Sequence, residues 1–316
     1  PMTEIQNGSL GVHFVKIDEN HDGQRIDNFL LGRLKGVPKS RVYRILRKGE
    51  VRVNGSRAKA EYRLQVGDAV RIPPVRVAER DVPAGPSPKL QQLLEQNIVY
   101  EDAAFLVINK PAGLAVHGGS GVSLGLIESL RATRPAAPFL ELVHRLDRET
   151  SGCLMIAKKR SMLRHLQEEM RAGRVVKIYQ ALCCGRWPKG MKRISAPLRK
   201  NELKSGERIV KVDPEGKASV THFQVLHRYR GATLLEVALE TGRTHQIRVH
   251  CQFAGCPLAG DEKYADVECN RQMREKGLKR MFLHAGQLKV SLPDGQLVEI
   301  RSPLPDDLTA LLTNLE

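Results

Sequence analysis

The sequence predicts an α+β fold: a largely antiparallel mixed sheet preceded by a small α/β domain. Three observations predict it. The chain has 316 residues, more than most single cores hold. Prolines cluster around Pro73, Pro74, Pro83, Pro86 and Pro88, which separates a short basic block from a longer one. In the longer block, strand-length apolar runs outnumber helical patterns, and several adjoin through short turns.

Composition narrows the function. Hydrophobic residues make up 41%, as in a globular chain. No apolar run approaches the ~18 residues of a membrane span, and the first residues lack the basic-then-apolar pattern of a leader. A cytoplasmic, monomeric protein without a membrane partner is expected. Lys and Arg number 51 against 35 acids, a net charge of +16. Such an excess points to a polyanionic partner, most often nucleic acid. The six cysteines form no C-x-x-C pair and read as reduced, mostly buried thiols. His245, His250, Cys251 and Cys256 do not match a common zinc spacing, so no metal is expected.

The elements follow in order. Residues 1–19 read as a flexible N-terminus, and 20–80 as the small basic domain. From Gln24 to Arg80 there are 15 Lys and Arg against 5 Asp and Glu, so this block holds most of the net charge. Within "VPKSRVYRILRKGEVRVNG", Ser40 is a candidate helix N-cap and Gly49 a candidate stop. Val42, Ile45 and Leu46 form an apolar stripe. Arg41, Arg44 and Lys48 fall on another face. "VRVNG" is a short strand entering an Asn-Gly turn. A basic helix followed by a small sheet suits phosphate contact, with Lys39, Arg41, Arg44, Arg47, Lys48 and Arg52 as the candidate RNA ligands. The segment "GQRIDNFL…KGVPKSRVYRILRKGEVRVNG…GDAVRIP" resembles the S4 RNA-binding domain.

Residues 81–96 read as a Pro-rich linker, and 97–316 as the second domain. "AAFLVINKPAG" is a strand stopped by Lys110, Pro111 and Gly113. "SMLRHLQEEMRAG" is a helix with Met162, Leu163, Leu166 and Met170 on one face and Gly173 past its end. "VVKIYQALCCG" alternates as a strand, with Lys177, Tyr179 and Ala181 sharing a face. "ATLLEVALETGRTHQIRVHCQFAG" is a strand that runs into a polar loop. Thr244 can cap a following helix ending at Gly255, although the alternation of Ile247, Val249 and Cys251 also permits a strand. "FLHAGQLKVSLPDGQLVEIRSP" closes the sheet with an Asp-Gly hairpin.

Two polar clusters carry the chemistry. "HRLDRETSG", from His144 to Gly152, is a loop between strands, where function commonly sits. Asp147 has Arg145 and Arg148 near it. A carboxylate among fixed cations keeps its charge when desolvated, which suits a nucleophile or a base. The loop could equally be a salt-bridged turn. "TGRTHQIRVH", from Thr241 to His250, is a second Arg- and His-rich loop after an apolar strand. Arg248 or Arg243 could pair with Asp147 across one cleft. "GVSLG", with Ser123, matches a hydrolase nucleophile elbow, but a Gly-rich loop precedes it instead of a strand. Kinase and zinc-deaminase signatures are incomplete.

"IVYEDAAFLVINKPAGLAVHGGSG", "HRLDRETSG", "KIYQALCCG", "GRTHQIRVH" and "LHAGQL" together resemble the RluA family of pseudouridine synthases over about residues 97–304. "DEKYAD" departs slightly, with Ala265 where the family more often has Gly. The resemblance implies a pseudouridine synthase fold and a cofactor-free isomerisation of uridine to pseudouridine in large-subunit ribosomal RNA. It implies that Asp147 is the catalytic aspartate, either attacking the nucleotide or abstracting a sugar proton. Arg248 would pair with Asp147, and Tyr179 would lie against the base and accept its C5 proton. Arg145 would fill the stack vacated by a flipped uridine, with His144 and Arg243 as further RNA contacts. The competing expectation is a non-catalytic RNA-binding ribosome-assembly factor. A serine hydrolase using Ser123 is the remote one.

Overall fold

The computed structural model describes residues 11–75, 85–119 and 124–316, and the chain divides into two compact units near residue 84. Ser123 lies outside the described residues.

The smaller unit runs β1 (His13–Lys16), α1 (Ile26–Arg33), α2 (Lys39–Arg47), β2 (Arg52–Val53), β3 (Ser56–Arg57) and β4 (Ala69–Ile72). Its antiparallel sheet has the order β1-β4-β2-β3. Val42, Ile45 and Leu46 of α2 are buried with Ile26, Leu30 and Val70, so the three-and-four spacing sets the packed face. Gly49 follows the helix at φ 70°, and Asn54 and Gly55 turn the hairpin at φ 50° and 82°. Two expectations fail here. The helix opens on Pro38 with Ser40 inside its first turn, because Pro38 already holds the φ of −57° that leads into a helix. Residues 13–16 are a paired strand, not flexible chain; residues 1–10 lie outside the description.

The larger unit begins with α3 (Pro88–Gln96), in a stretch the prolines marked as linker. Pro88 sits in the first turn, where its missing N–H costs nothing, and Ser87 Oγ accepts from Leu90 N–H. Then follow β5 (Ile98–Glu101), β6 (Phe105–Lys110), α4 (Leu126–Thr133), β7 (Glu141–Leu142), β8 (Ser151–Ala157), α5 (Arg160–Arg171) and β9 (Val176–Cys184). Next are β10 (Arg193–Ser195), the hairpin β11 (Leu198–Glu202) and β12 (Arg208–Val212), and the long pair β13 (Val220–Tyr229) and β14 (Ala232–Leu239). The chain ends with α6 (Gln246–Phe253), α7 (Val267–Glu275), β15 (Leu283–Ser291), β16 (Leu297–Arg301) and α8 (Asp306–Asn314).

The main sheet has the order β10-β13-β14-β9-β15-β8-β6-β5, with β16 on β15 and β7 on β8. Among the described residues only β8 and β15 pair in parallel, so the sheet is mixed and largely antiparallel. Its central strands are covered on both faces. Leu106 and Ile108 pack with α3 and α4, while Phe105 and Val107 pack against Met162, Leu163 and Leu166 of α5. Period-two alternation therefore gives two cores, and the strand reads as a continuous apolar run.

Gly152, at the start of β8, has φ 114°. A Cβ there would collide with the Ala285 carbonyl of β15. The parallel pair that roots the Asp147 loop thus requires glycine. Helix α6 excludes the strand alternative for "QIRVHC", and His245, not Thr244, is its N-cap. The cysteine expectation holds for Cys153, Cys183, Cys251 and Cys256, which are free and buried. It fails for Cys184 and Cys269, which are joined. The end of β9 meets the first turn of α7 at a Cα separation of 6.1 Å, a proximity that a sequence separation of 85 conceals. No helix of the described residues is long and apolar enough to cross a membrane.

Candidate active site

The two polar clusters converge on one cavity of about 570 Å³ in the larger unit. Its wall includes Arg145 and Asp147 from the β7–β8 loop, Tyr179 and Lys177 from β9, and His245 and Arg248 at the start of α6. A volume of this size lies in the range of small-ligand sites.

Buried hydrogen bonds hold the Asp147 loop. Lys110, fully buried at the end of β6, donates to the carbonyls of Pro111, Leu114 and Arg148 at 2.8–2.9 Å. Arg148 in turn donates to Gly113 O, and Gly113 N–H donates back to Arg148 O. Thr150 N–H donates to Asp147 O, closing a tight turn beneath the carboxylate. The "NKPAG" stop and the "HRLDRETSG" loop are therefore one structural unit.

The second loop is fixed by Gln246. Its side-chain oxygen accepts from Thr241 Oγ1 and Arg243 N–H, and its amide donates to Val220 O and Thr221 Oγ1. Two residues on, Arg248 faces the cavity. Nη1 lies 3.0 Å from Asp147 Oδ2, while Nε and Nη2 make a bidentate pair with Asp261, each at 2.8 Å. Asp261's side chain is 0% exposed. The guanidinium also lies over the Tyr264 ring, 5.0 Å from its centroid. Burial alone would lower the Arg248 pKa. The hydrogen bonds and charge of Asp261, with Asp147 adding to them, raise it instead. Arg248 is thus a permanent, immobile cation.

Of the sequence candidates, the structure brings together Asp147, Arg248, Tyr179, Arg145, His144 and Arg243 around this cavity. Arg248, not Arg243, pairs with Asp147; Arg243 donates from Nε to Ala218 O. Arg145 is exposed at the rim. Tyr179 is buried, and burial, with Asp147's charge adding, raises its pKa, so its hydroxyl stays protonated. His144 Nε2 accepts from Met155 N–H, a bond internal to the sheet edge. The basic residues of the smaller unit are a separate group: Lys39, Arg44, Arg47 and Lys48 are exposed, and Arg41 is half-buried. Arg52 is turned onto the backbone, donating to Gly49 O and Gly55 O.

Sequence reasoning missed Lys177, Lys200 and Arg208 on the cavity wall, and the pair His245 and Tyr264. Asp261 and Tyr264 lie in "DEKYAD", a short polar segment with no periodic signal. Among the described residues no group of three or more His, Cys, Asp or Glu could hold a metal ion.

The profile of the RNA pseudouridylate synthase family matches residues 104–253, and that of the S4 domain matches residues 24–70. The chain is 57% identical over 309 residues to ribosomal large subunit pseudouridine synthase C of Escherichia coli (strain K12), covering 96% of this chain and 97% of that protein. The protein of the same name from Haemophilus influenzae is 54% identical over 306 residues, covering 96% and 95%. Among solved structures, human RNA pseudouridylate synthase domain containing 4 aligns with a TM-score of 0.61 and 29% identity, over 72% of this chain and 95% of that one. The chain belongs to the RNA pseudouridylate synthase family, with an S4 domain at its N-terminus.

One bond of the site predicts a pH dependence. His144 accepts through Nε2, so its ring is neutral, and burial, with Lys177 adding, pushes its pKa down to about 3. The unfolded ring takes a proton below about pH 6.5, whereas the folded ring does not until about 3. Its contribution to stability is therefore complete above about pH 6.5 and is lost as pH falls toward the folded value. Urea midpoints should fall over that window and fall less steeply in His144→Asn. In NMR spectra the His144 ring should not titrate between pH 5 and 7, and an ordinary titration there would contradict the assignment.

Proposed function

We propose that this isomerase converts uridine to pseudouridine in large-subunit ribosomal RNA, acting through Asp147 on a nucleotide flipped into the cavity. The supporting observation is the Asp147–Arg248 pair on the wall of a cavity that can enclose one nucleotide. The names of the curated relatives supply the RNA.

The chemistry follows from the geometry. The N1–C1′ bond breaks and its electron pair leaves with the base. The base turns, C5 bonds to C1′, the C5 proton departs and N1 gains one. Arg248 holds Oδ2 of Asp147, which leaves Oδ1 toward the cavity for attack on the nucleotide or removal of a sugar proton. Tyr179 lies against the base. Its protonated hydroxyl takes the C5 proton only by passing its own to a neighbouring carboxylate, and Asp147 is the one whose charge it feels. Arg145, flat and exposed at the rim, stacks in the gap the uridine leaves. The bound RNA covers the open side of the cavity and keeps water from the detached base.

The S4 domain supplies phosphate contact through Lys39, Arg44, Arg47 and Lys48, with Arg41 behind them.

Two outcomes are expected. Asp147→Ala should lose pseudouridine formation on protein-free large-subunit rRNA by on the order of 10³-fold or more while still binding it. Full product from the variant would overturn the reading, and no product from the wild type would favour a ribosome-assembly factor. Replacing Lys39, Arg44, Arg47 and Lys48 by Gln should flatten the plot of log K against log salt by about 0.7–0.9 for each phosphate contact removed. An unchanged slope would remove this face from the RNA interface.

A further inference from the structure

We propose that His245 is a neutral hydrogen-bond donor to the departing base, locked in its Nε2–H tautomer by Tyr264. The proposal rests on the reading of the cavity given above and adds a residue to it.

The backbone is unusual at this position. His245 has φ 54°, in the left-handed region. Among the described residues the only other non-glycine with positive φ is Asn54, where a hairpin turn accounts for it. A histidine there is disfavoured by about 1 kcal/mol or more, and such strain concentrates at functional positions. The conformation places the ring at the N-cap of α6, beside Asp147, without capping the helix.

Hydrogen bonds then choose the tautomer. Tyr264 Oη accepts from Val210 N–H at 3.0 Å and lies 2.7 Å from His245 Nδ1. Tyr264 is buried, and among the described residues its own proton has no acceptor but Nδ1. Buried donors are paired, so the phenol donates to Nδ1 and the ring proton sits on Nε2. Nε2 is 3.9 Å from Asp147 Oδ1, too far for a hydrogen bond. Asp147's other oxygen is held by Arg248. The result is a donor without a protein acceptor, beside the free oxygen of the carboxylate and on the cavity wall. The ring is also neutral. Burial lowers its pKa, Arg248 and Lys263 add to that, and Asp147 and Asp261 oppose it. A neutral donor leaves the carboxylate's charge intact.

The reaction requires such a group. When the N1–C1′ pair leaves with the base, negative charge spreads from N1 onto the two carbonyl oxygens. An N–H placed beforehand at one of them stabilises that charge more than it stabilises the bound uridine, and so speeds the step. No atom is gained or lost, because the charge is discharged when C5 bonds to C1′ and the ring exchanges its C5 proton for one on N1.

Side-chain length gives the test. Asn at position 245 suits the left-handed backbone and can still accept from Tyr264, but it ends short of the cavity. Gln carries an N–H at about the reach of Nε2. Single-turnover rates on the large-subunit rRNA should fall about 10- to 100-fold in His245→Asn with RNA affinity within about twofold. His245→Gln should recover most of that loss. Tyr264→Phe should slow the wild type several-fold and add nothing in the His245→Asn background. Equal losses in the Asn and Gln variants, or a wild-type rate in His245→Asn, would overturn the proposal. Asp147→Ala measured alongside judges the reading of the cavity separately.

Discussion

The site depends on the bidentate pair between Arg248 and the fully buried carboxylate of Asp261. Two of the guanidinium's nitrogens are committed to Asp261 and its flat face lies over Tyr264. One nitrogen, Nη1, is left for Asp147. A long cationic side chain normally gives up much rotamer freedom to make one ion pair, and an exposed pair gains little for it. Here that entropy is already lost to Asp261, so Arg248 presents a fixed charge to a loop from a distant part of the chain. Removing Arg248 would leave the buried Asp261 carboxylate without its counter-ion, whereas removing Asp261 would leave Arg248 held by Asp147 alone.

The loop opposite is held with comparable rigidity. Lys110 ties three carbonyls together, and Gly152 lets β8 approach β15 closely enough to pair. The Asp147 loop therefore stands on buried strands and Arg248 on helix α6, and the Asp147 carboxylate projects from a frame that has little freedom to relax. Preorganised charge of this kind stabilises developing charge without the cost of solvent reorganisation.

Much of this was legible in the sequence because local patterns and tertiary structure agree. Val42, Ile45 and Leu46 mark their helix, Asn54-Gly55 marks its hairpin, and Asp147 and Arg248 stand in polar clusters within the span that matches the family. The misses have physical causes. Pro88 opens a helix instead of extending a linker, and only Ser87 together with the Leu90 and Leu94 spacing could have shown it. His245 takes the N-cap from Thr244 through a left-handed backbone that local sequence does not announce at a histidine. Asp261 and Tyr264 act through contacts with residues 13 and 19 positions away, around a turn, and carry no periodic signal. Cys184 and Cys269 meet only after the sheet and α7 are assembled.

The most direct test is the single-turnover rate of Asp261→Asn on large-subunit rRNA, measured beside its RNA affinity. Asn keeps the shape and one acceptor but removes the charge that anchors Arg248. A rate reduced by about 10- to 100-fold, with RNA affinity within about twofold, is the result predicted for a residue that positions the Asp147 partner. A wild-type rate would contradict the claim that the buried Asp261 sets the geometry of the site.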